Sequence, residues 1–311
     1  MPILGTIASS FELPTNRALF AGGRDAGNLL SSTIDYVTIE TTGNAIGFGD
    51  LSGSRAGLAG CSSATRGMFA GGADSSSKIS TINYVTIATA GSATNFGSLT
   101  QGRVFLSSCS SSTRGIWAGG EINAGEVSTI DYVTIATTGN ATGFGSTTVA
   151  RYGVAGCSSP TRGVFGGGQN SNGRSNVIDY VTIATTGNAT DFGDLTSPTR
   201  YPGACSSATR GIFAGGQREG QNTSSGISYI TIASTGNATE FGNLSVARYI
   251  IGGTSSPTIG VFGGGYSVFI GNSVNVIDYI TIATTGDATD FGDLTVTRQQ
   301  LAACSSGHGG L

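Results

Sequence analysis

The chain has 311 residues, 52 of them glycine and only 11 % charged, which is enough length for a sizeable core and too little charge for a solvated disordered polymer. Its glycines follow no G-X-Y period, which excludes collagen, and a net charge of −3 lacks the basic surface that non-specific nucleic-acid binding requires. No segment approaches the roughly 18 consecutive apolar residues of a membrane helix, and the opening MPILGTIASSFELP lacks the basic flank and long apolar stretch of a secretion signal.

In chain order, residues 1–12 read as an extended arm, residues 13–306 as one repetitive domain and residues 307–311 as a glycine-rich tail. The domain declares itself by internal repetition. A glycine pair recurs at Gly22-Gly23, Gly71-Gly72, Gly119-Gly120, Gly167-Gly168, Gly215-Gly216 and Gly264-Gly265, in steps of 48 or 49 residues. Each pair is followed by a tyrosine (Tyr36, Tyr84, Tyr132, Tyr180, Tyr229, Tyr279) and then by a phenylalanine (Phe48, Phe96, Phe144, Phe192, Phe241, Phe291). An arginine then ends the unit: Arg55, Arg103, Arg151, Arg200, Arg248 and Arg298. In the fourth unit, Tyr152–Cys157, Gly163–Gly166 and Val177–Ala184 predict three strands, and Phe192 and Leu195 mark a short fourth. The linkers between them carry Gly, Pro, Asn, Ser and Thr, the usual turn formers. Four short strands per 48 residues, six times over, predict an all-β, six-bladed β-propeller of four-stranded blades. A β-solenoid also stacks short strands, but its coils are usually shorter; a helical solenoid is excluded by the missing 3.6-residue period.

The order of hydrophobic strand, glycine pair, tyrosine, aromatic and arginine resembles the kelch repeat, from about Arg17 to Ser306. Where kelch repeats usually carry Trp on the fourth strand, this chain carries Phe in every copy. The first-strand motif occurs seven times, ending in Ala8–Ser10, at Cys61, Cys109, Cys157, Cys205 and Thr254, and again at Cys304. Six blades need six inner strands. The resemblance implies that a C-terminal strand, Arg298–Ser306, pairs with the strand containing Leu19–Ala21 and closes the ring. The arm would then be free to dock on another chain through Ile3, Leu4 and Ile7. Its opening, MPILGTIASS, resembles the start of many virion structural proteins of tailed bacteriophages, and repeats such as YVTIATTGNATDFGDLT resemble those of phage and cyanophage structural proteins.

Few residues point to catalysis. The cysteines recur at the spacing of the repeat, as packing positions on the inner strands do, and are expected to stay reduced. The one histidine, His308, cannot build a triad or a His-rich metal site. The DFG triplets at Asp191–Gly193 and Asp290–Gly292 read as repeated turns, as do the carboxylate pairs Asp191/Asp194 and Asp290/Asp293. The triple glycines Gly166–Gly168 and Gly263–Gly265 are not followed by GK[ST], as a phosphate loop requires. No catalytic residue, metal or cofactor is therefore assigned.

Two features carry the binding hypotheses. Arg55, Arg103, Arg151, Arg200, Arg248 and Arg298 each precede an inner strand, so six guanidinium groups should ring one mouth of the channel. They would either pair with backbone carbonyls and acids such as Asp50, Asp194 or Asp293, or hold an anion or sugar acid on the axis. The second feature is variation: TTGNAT and CSS-x-TRG are nearly constant, whereas the segment from glycine pair to tyrosine strand differs in every copy. These loops share a face with the arginines, and they offer Gln169, Asn172, Arg174, Gln217, Arg218, Gln221, Tyr266 and Phe269. Amides and guanidinium groups beside an aromatic plate suit carbohydrate; exposed aromatics also suit protein contact, and loop drift accounts for the variation without either. The expectation is a non-enzymatic component of a phage particle, in a tail fibre, tail tip or capsid surface. Its partners would be other virion proteins or copies of itself, and a host-surface glycan or protein. A cellular kelch-like interaction scaffold is the alternative.

Overall fold

The structure is a computed structural model that describes residues 16–311. Its described residues form six four-stranded antiparallel sheets around one axis, with small two-stranded ribbons on one face. Blade four is typical: Ala155–Ser158 lies innermost, followed outward by Arg162–Gly166, Val177–Thr182 and Thr190–Asp194. The inner strands of blades two, three, five and six are Ala59–Ser62, Ser107–Ser110, Gly203–Ser206 and Gly252–Ser255. Blade one is assembled from both ends of the domain. Ala302–Ser305 pairs antiparallel with Arg17–Ala21, Cys304 opposite Leu19, as the kelch resemblance implies. The arm residues Ile3, Leu4 and Ile7 lie outside the described residues.

The core lies between blades, and each of the six interfaces has its own cluster. Between blades four and five, for example, Val164, Ile178 and Phe192 meet Phe213 and Ile230. Both faces of each sheet are therefore dry, which is why the IDYVT strands do not alternate cleanly between apolar and polar. The cysteines are free, buried and aimed sideways at the next blade. Cys109, for instance, fills the space where a side chain on Gly163 would stand, and Cys157 does the same at Gly211. In the sixth interface both members of this pair change together, Thr254 standing for the cysteine and Ala18 for the glycine. Burial raises the thiol pKa values, that of Cys157 to about 12, so none is poised as a nucleophile.

Two recurring motifs are clips between blades, the first present in every blade but the sixth, where Ile259 takes the arginine's place. In SSATRG and its copies, Arg66, Arg114, Arg162 and Arg210 each stack on the tyrosine of their own blade and donate to two carbonyls of the next. In TTGNAT, the glycine N–H donates to the preceding blade's outer phenylalanine carbonyl, as from Gly187 to Phe144 (2.9 Å). The DFG triplets are not turns: both lie inside outer strands, Thr190–Asp194 and Thr289–Asp293. Their glycines are needed because that loop crosses so closely. A Cβ on Gly193 would stand 2.6 Å from the Gly236 carbonyl.

Two closed belts of hydrogen bonds circle the axis. On one face, Ser62, Ser110, Ser158, Ser206, Ser255 and Ser305 each donate a hydroxyl to the backbone carbonyl of the preceding serine, at 2.5–2.8 Å. The tail folds back into this mouth. His308 Nε2 lies 3.0 Å from the Ser62 carbonyl and 3.1 Å from Ser110 Oγ, and Gly309 N–H donates to the Ser206 carbonyl. A side chain on Gly310 would meet the Ser110 carbonyl at 1.9 Å, so the glycines of GHGGL are a condition of the plug. The groups touching His308 are neutral, and burial lowers its pKa to about 4. An undocked histidine titrates near 6.5. Between these values the released tail binds a proton that the docked tail does not, so docking is complete above about pH 6.5 and weakens as pH falls toward 4. Limited proteolysis after residue 306 should accelerate more than about tenfold from pH 7 to pH 4.5, by the same linkage. In His308→Gln that pH dependence should disappear, and its persistence would exclude the histidine as its source.

Candidate functional site

The opposite face carries the second belt and the variable loops. Gly57, Phe105, Gly153, Tyr201, Ile250 and Gln300 all adopt left-handed backbone conformation, φ 55–69°. Each donates its N–H to the carbonyl of the preceding member at 2.7–3.1 Å, and Gly57 closes the circle on Gln300. Four of the six are not glycine, and each of these pays for an unfavourable φ that the closed ring imposes. The ring consumes its own amides, so polar recognition on this floor falls to side chains.

The six arginines do not form the expected circle. Arg55, Arg103, Arg151, Arg248 and Arg298 are at most 1 % exposed and run between blades. Backbone carbonyls accept from them, as expected: Arg103 Nη1 donates to Gly119 and Thr129, at 2.8 and 2.7 Å. Their acid partner is not Asp50, Asp194 or Asp293, which lie at the outer rim. It is the third-strand aspartate of the next blade. Arg103 pairs with Asp131 at 2.6 Å, Arg298 with Asp35 at 2.5 Å, Arg248 with Asp278 at 3.1 Å, and Arg151 with Asp179. A hydroxyl from the preceding blade completes each carboxylate, as Thr100 Oγ1 does for Asp131 (2.7 Å). At the Arg55 interface Asn83 holds the aspartate's position, Arg55 donates to the Phe69 and Thr81 carbonyls, and burial lowers its pKa to about 10.

Arg200 is not the sixth strut. It stands five residues before Cys205, whereas the other arginines stand six before their cysteine or threonine, and Thr199 fills the slot. The Thr199 carbonyl accepts from Gly168 as the Arg151 carbonyl accepts from Gly120. The strand opposite is changed to match, with buried Ser228 where the other blades have Asp or Asn. Arg200 is thereby displaced onto the face. Its Nε donates to Gln217 Oε1 (2.6 Å), its Nη1 to Gln169 Oε1, and its guanidinium lies 5.3 Å from the Tyr201 ring centre. Around it runs an arc of half-buried rings. Tyr201 lies 5.0 Å from Phe105, 6.1 Å from Tyr152 and 6.4 Å from Tyr249, and Tyr249 lies 5.6 Å from Tyr266. Burial raises the pKa of the Tyr201 hydroxyl.

Three of the loop residues meet elsewhere. Arg218, Gln221 and Phe269 line a groove of about 610 Å³ between blades five and six, with Asn222, Glu240 and Asn243. Glu240 lies 3.6 Å from Arg218. Phe269 is 79 % exposed at the tip of its loop, between Val268 and Ile270. Arg174 does not enter the groove; it donates to the carbonyls of Arg218 and Gln221 and so fixes the loop that forms one wall. Asn172 sits apart, exposed at a hairpin tip where its backbone N–H donates to Asn170 Oδ1 (2.9 Å). The loops thus converge on two places, a central aromatic basin and a peripheral groove. The basin's Phe105, Tyr152, Tyr201 and Tyr249 escape a reading centred on the arginines. The five-residue spacing of Arg200 and Cys205 is the signal that would have found them.

Among the described residues no three His, Cys, Asp or Glu side chains converge as a metal site would require. No protein-family model and no curated protein sequence matches the chain.

Proposed function

We propose that this protein is a non-catalytic structural component of a phage particle whose loop face binds a host-surface glycan. One observation supports recognition above the rest: sixfold repetition is kept in the four-stranded blades, the serine belt and the backbone belt of the loop face, and is lost in the side chains that the loop face presents. Selection for folding alone gives no reason for aromatic rings to accumulate on one side of an axis whose other side carries Gly57 and Gln300. Aromatic plates flanked by amides and a guanidinium suit the apolar faces and hydroxyl rims of sugars. The phage setting rests on the resemblance of MPILGTIASS and of the repeats to virion proteins, and the segment with Ile3, Leu4 and Ile7 would tether the ring to the particle or to another copy.

The test has two arms. Screening against polysaccharides from candidate host surfaces should yield binding that Phe269→Ala or Tyr152→Ala weakens about tenfold, the loss expected for a contact worth about 1.4 kcal/mol. Mass spectrometry of purified particles should find the chain as a stoichiometric component. A second reading, a kelch-like scaffold for a protein partner, is favoured by the exposed apolar tip Val268–Ile270. Capture of one defined protein partner, lost on Phe269→Ala, with no glycan bound, would select it.

A further inference from the structure

We infer that the aromatic basin on the axis is a site for a carboxylate-bearing sugar, with Arg200 as its anion-binding group. The inference rests on the glycan reading above and adds the chemical class and the residue. Its starting point is the displacement of Arg200. Every other arginine of the series is withdrawn between blades, and four of them are neutralised by an aspartate. At the blade four–five interface Thr199 and Ser228 replace the charged pair, so folding places no demand on a cation there. The guanidinium is nevertheless retained one residue later, on the face.

Its surroundings orient it without neutralising it. The two groups that hold it, Gln217 and Gln169, are amides whose oxygens accept from Nε and Nη1. No carboxylate pairs with it among the described residues. The remaining N–H bonds, the second on Nη1 and both on Nη2, form the fork that suits two coplanar oxygens of one carboxylate. Arg218 in the peripheral groove differs in this respect, having Glu240 beside it. The rings of Tyr201, Tyr152 and Tyr249 stand where a pyranose whose carboxylate occupies the fork could stack. The chemistry therefore favours a uronic or other acidic sugar at a chain end or branch, held by charge at one edge and by aromatic contact on its face.

The test uses the full chain, an acidic oligosaccharide of hexuronic acids, the same oligosaccharide with its carboxyl groups reduced to alcohols, and a sulfated neutral oligosaccharide. Titration calorimetry should show the carboxylated form bound about 10- to 100-fold more tightly than the reduced form, as expected for hydrogen bonds to a charged group. Arg200→Gln should abolish that preference while melting as the parent does, since its position lies outside the inter-blade core. Arg200→Lys, which keeps charge and loses the fork, should retain only part of it. Equal affinity for the carboxylated and reduced forms would overturn the inference, as would a preference that survives Arg200→Gln. Selective binding of the sulfated sugar would overturn the carboxylate assignment. Binding of neutral glycans that depends on Phe269 and ignores Arg200 would overturn this inference and leave the glycan reading standing. Binding of no saccharide in either this titration or the polysaccharide screen would remove both.

Discussion

Deleting residues 297–311 should leave a chain that no longer folds cooperatively at room temperature. The deletion removes the inner strand of blade one and the residue before it, and Leu301, Ala302, Ala303 and Cys304 are all at least 93 % buried. It exposes the edge of Arg17–Ala21 along its full pairing with Ala302–Ser305, and an unpaired edge invites association with another chain. It removes Arg298 as well, leaving Asp35 as a buried charge without its cation, which alone costs about 3–5 kcal/mol. Against a typical total of about 5–15 kcal/mol, the sum is most or all of the stability. Urea unfolding followed by circular dichroism measures it, and removal of residues 307–311 alone serves as the control for the plug. A 297–311 deletion that unfolds at the urea concentration of the full chain would show that the ring does not depend on this closure.

The second large effect concerns the inter-blade ion pairs. Asp179→Ala should cost about 3–5 kcal/mol, because Arg151 is then charged, buried and unpaired. The double replacement Arg151→Thr with Asp179→Ser should recover much of that loss. The molecule supplies the precedent in Thr199 and Ser228, which occupy the same two positions between blades four and five without any charge. The converse holds at Arg55. Asn83→Asp would give this guanidinium the carboxylate that four equivalents possess, and should raise stability by about 1 kcal/mol, the order of one added charge-assisted hydrogen bond. Denaturation of the parent, Arg151→Thr, Asp179→Ser and the double replacement closes the cycle. If the double replacement is as damaging as the sum of its single changes, the two residues are not a coupled unit and the assignment fails.

Both experiments separate what repetition reveals from what it conceals. The 48-residue period, the four strands per unit and the spare first-strand motif are visible in the letters, because each blade must meet the same two neighbours and so must present the same residues. The buried place of the cysteines is legible for the same reason. The role of the arginines is not. A position just before an inner strand is compatible with a side chain aimed at the axis or into the next interface, and these directions differ by a rotation that no spacing records. Nor does the sequence put Asp131 beside Arg103: the two are 28 residues apart and belong to different blades.

Sequence alone thus determined the fold class and the number of blades, and offered two terminal copies of the first-strand motif to close them, since periodic burial leaves a periodic trace. The structure shows that Ala302–Ser305 is the one in the ring. Tertiary structure decided what each repeated residue does and where the repetition fails. It turned five arginines into struts, released Arg200 onto the face by one residue of register, and placed Gly307–Leu311 in the mouth of the serine belt. These outcomes depend on contacts between blades and between distant ends of the chain. Such contacts are selected for shape and charge at one point in space, and leave no period for a sequence to show.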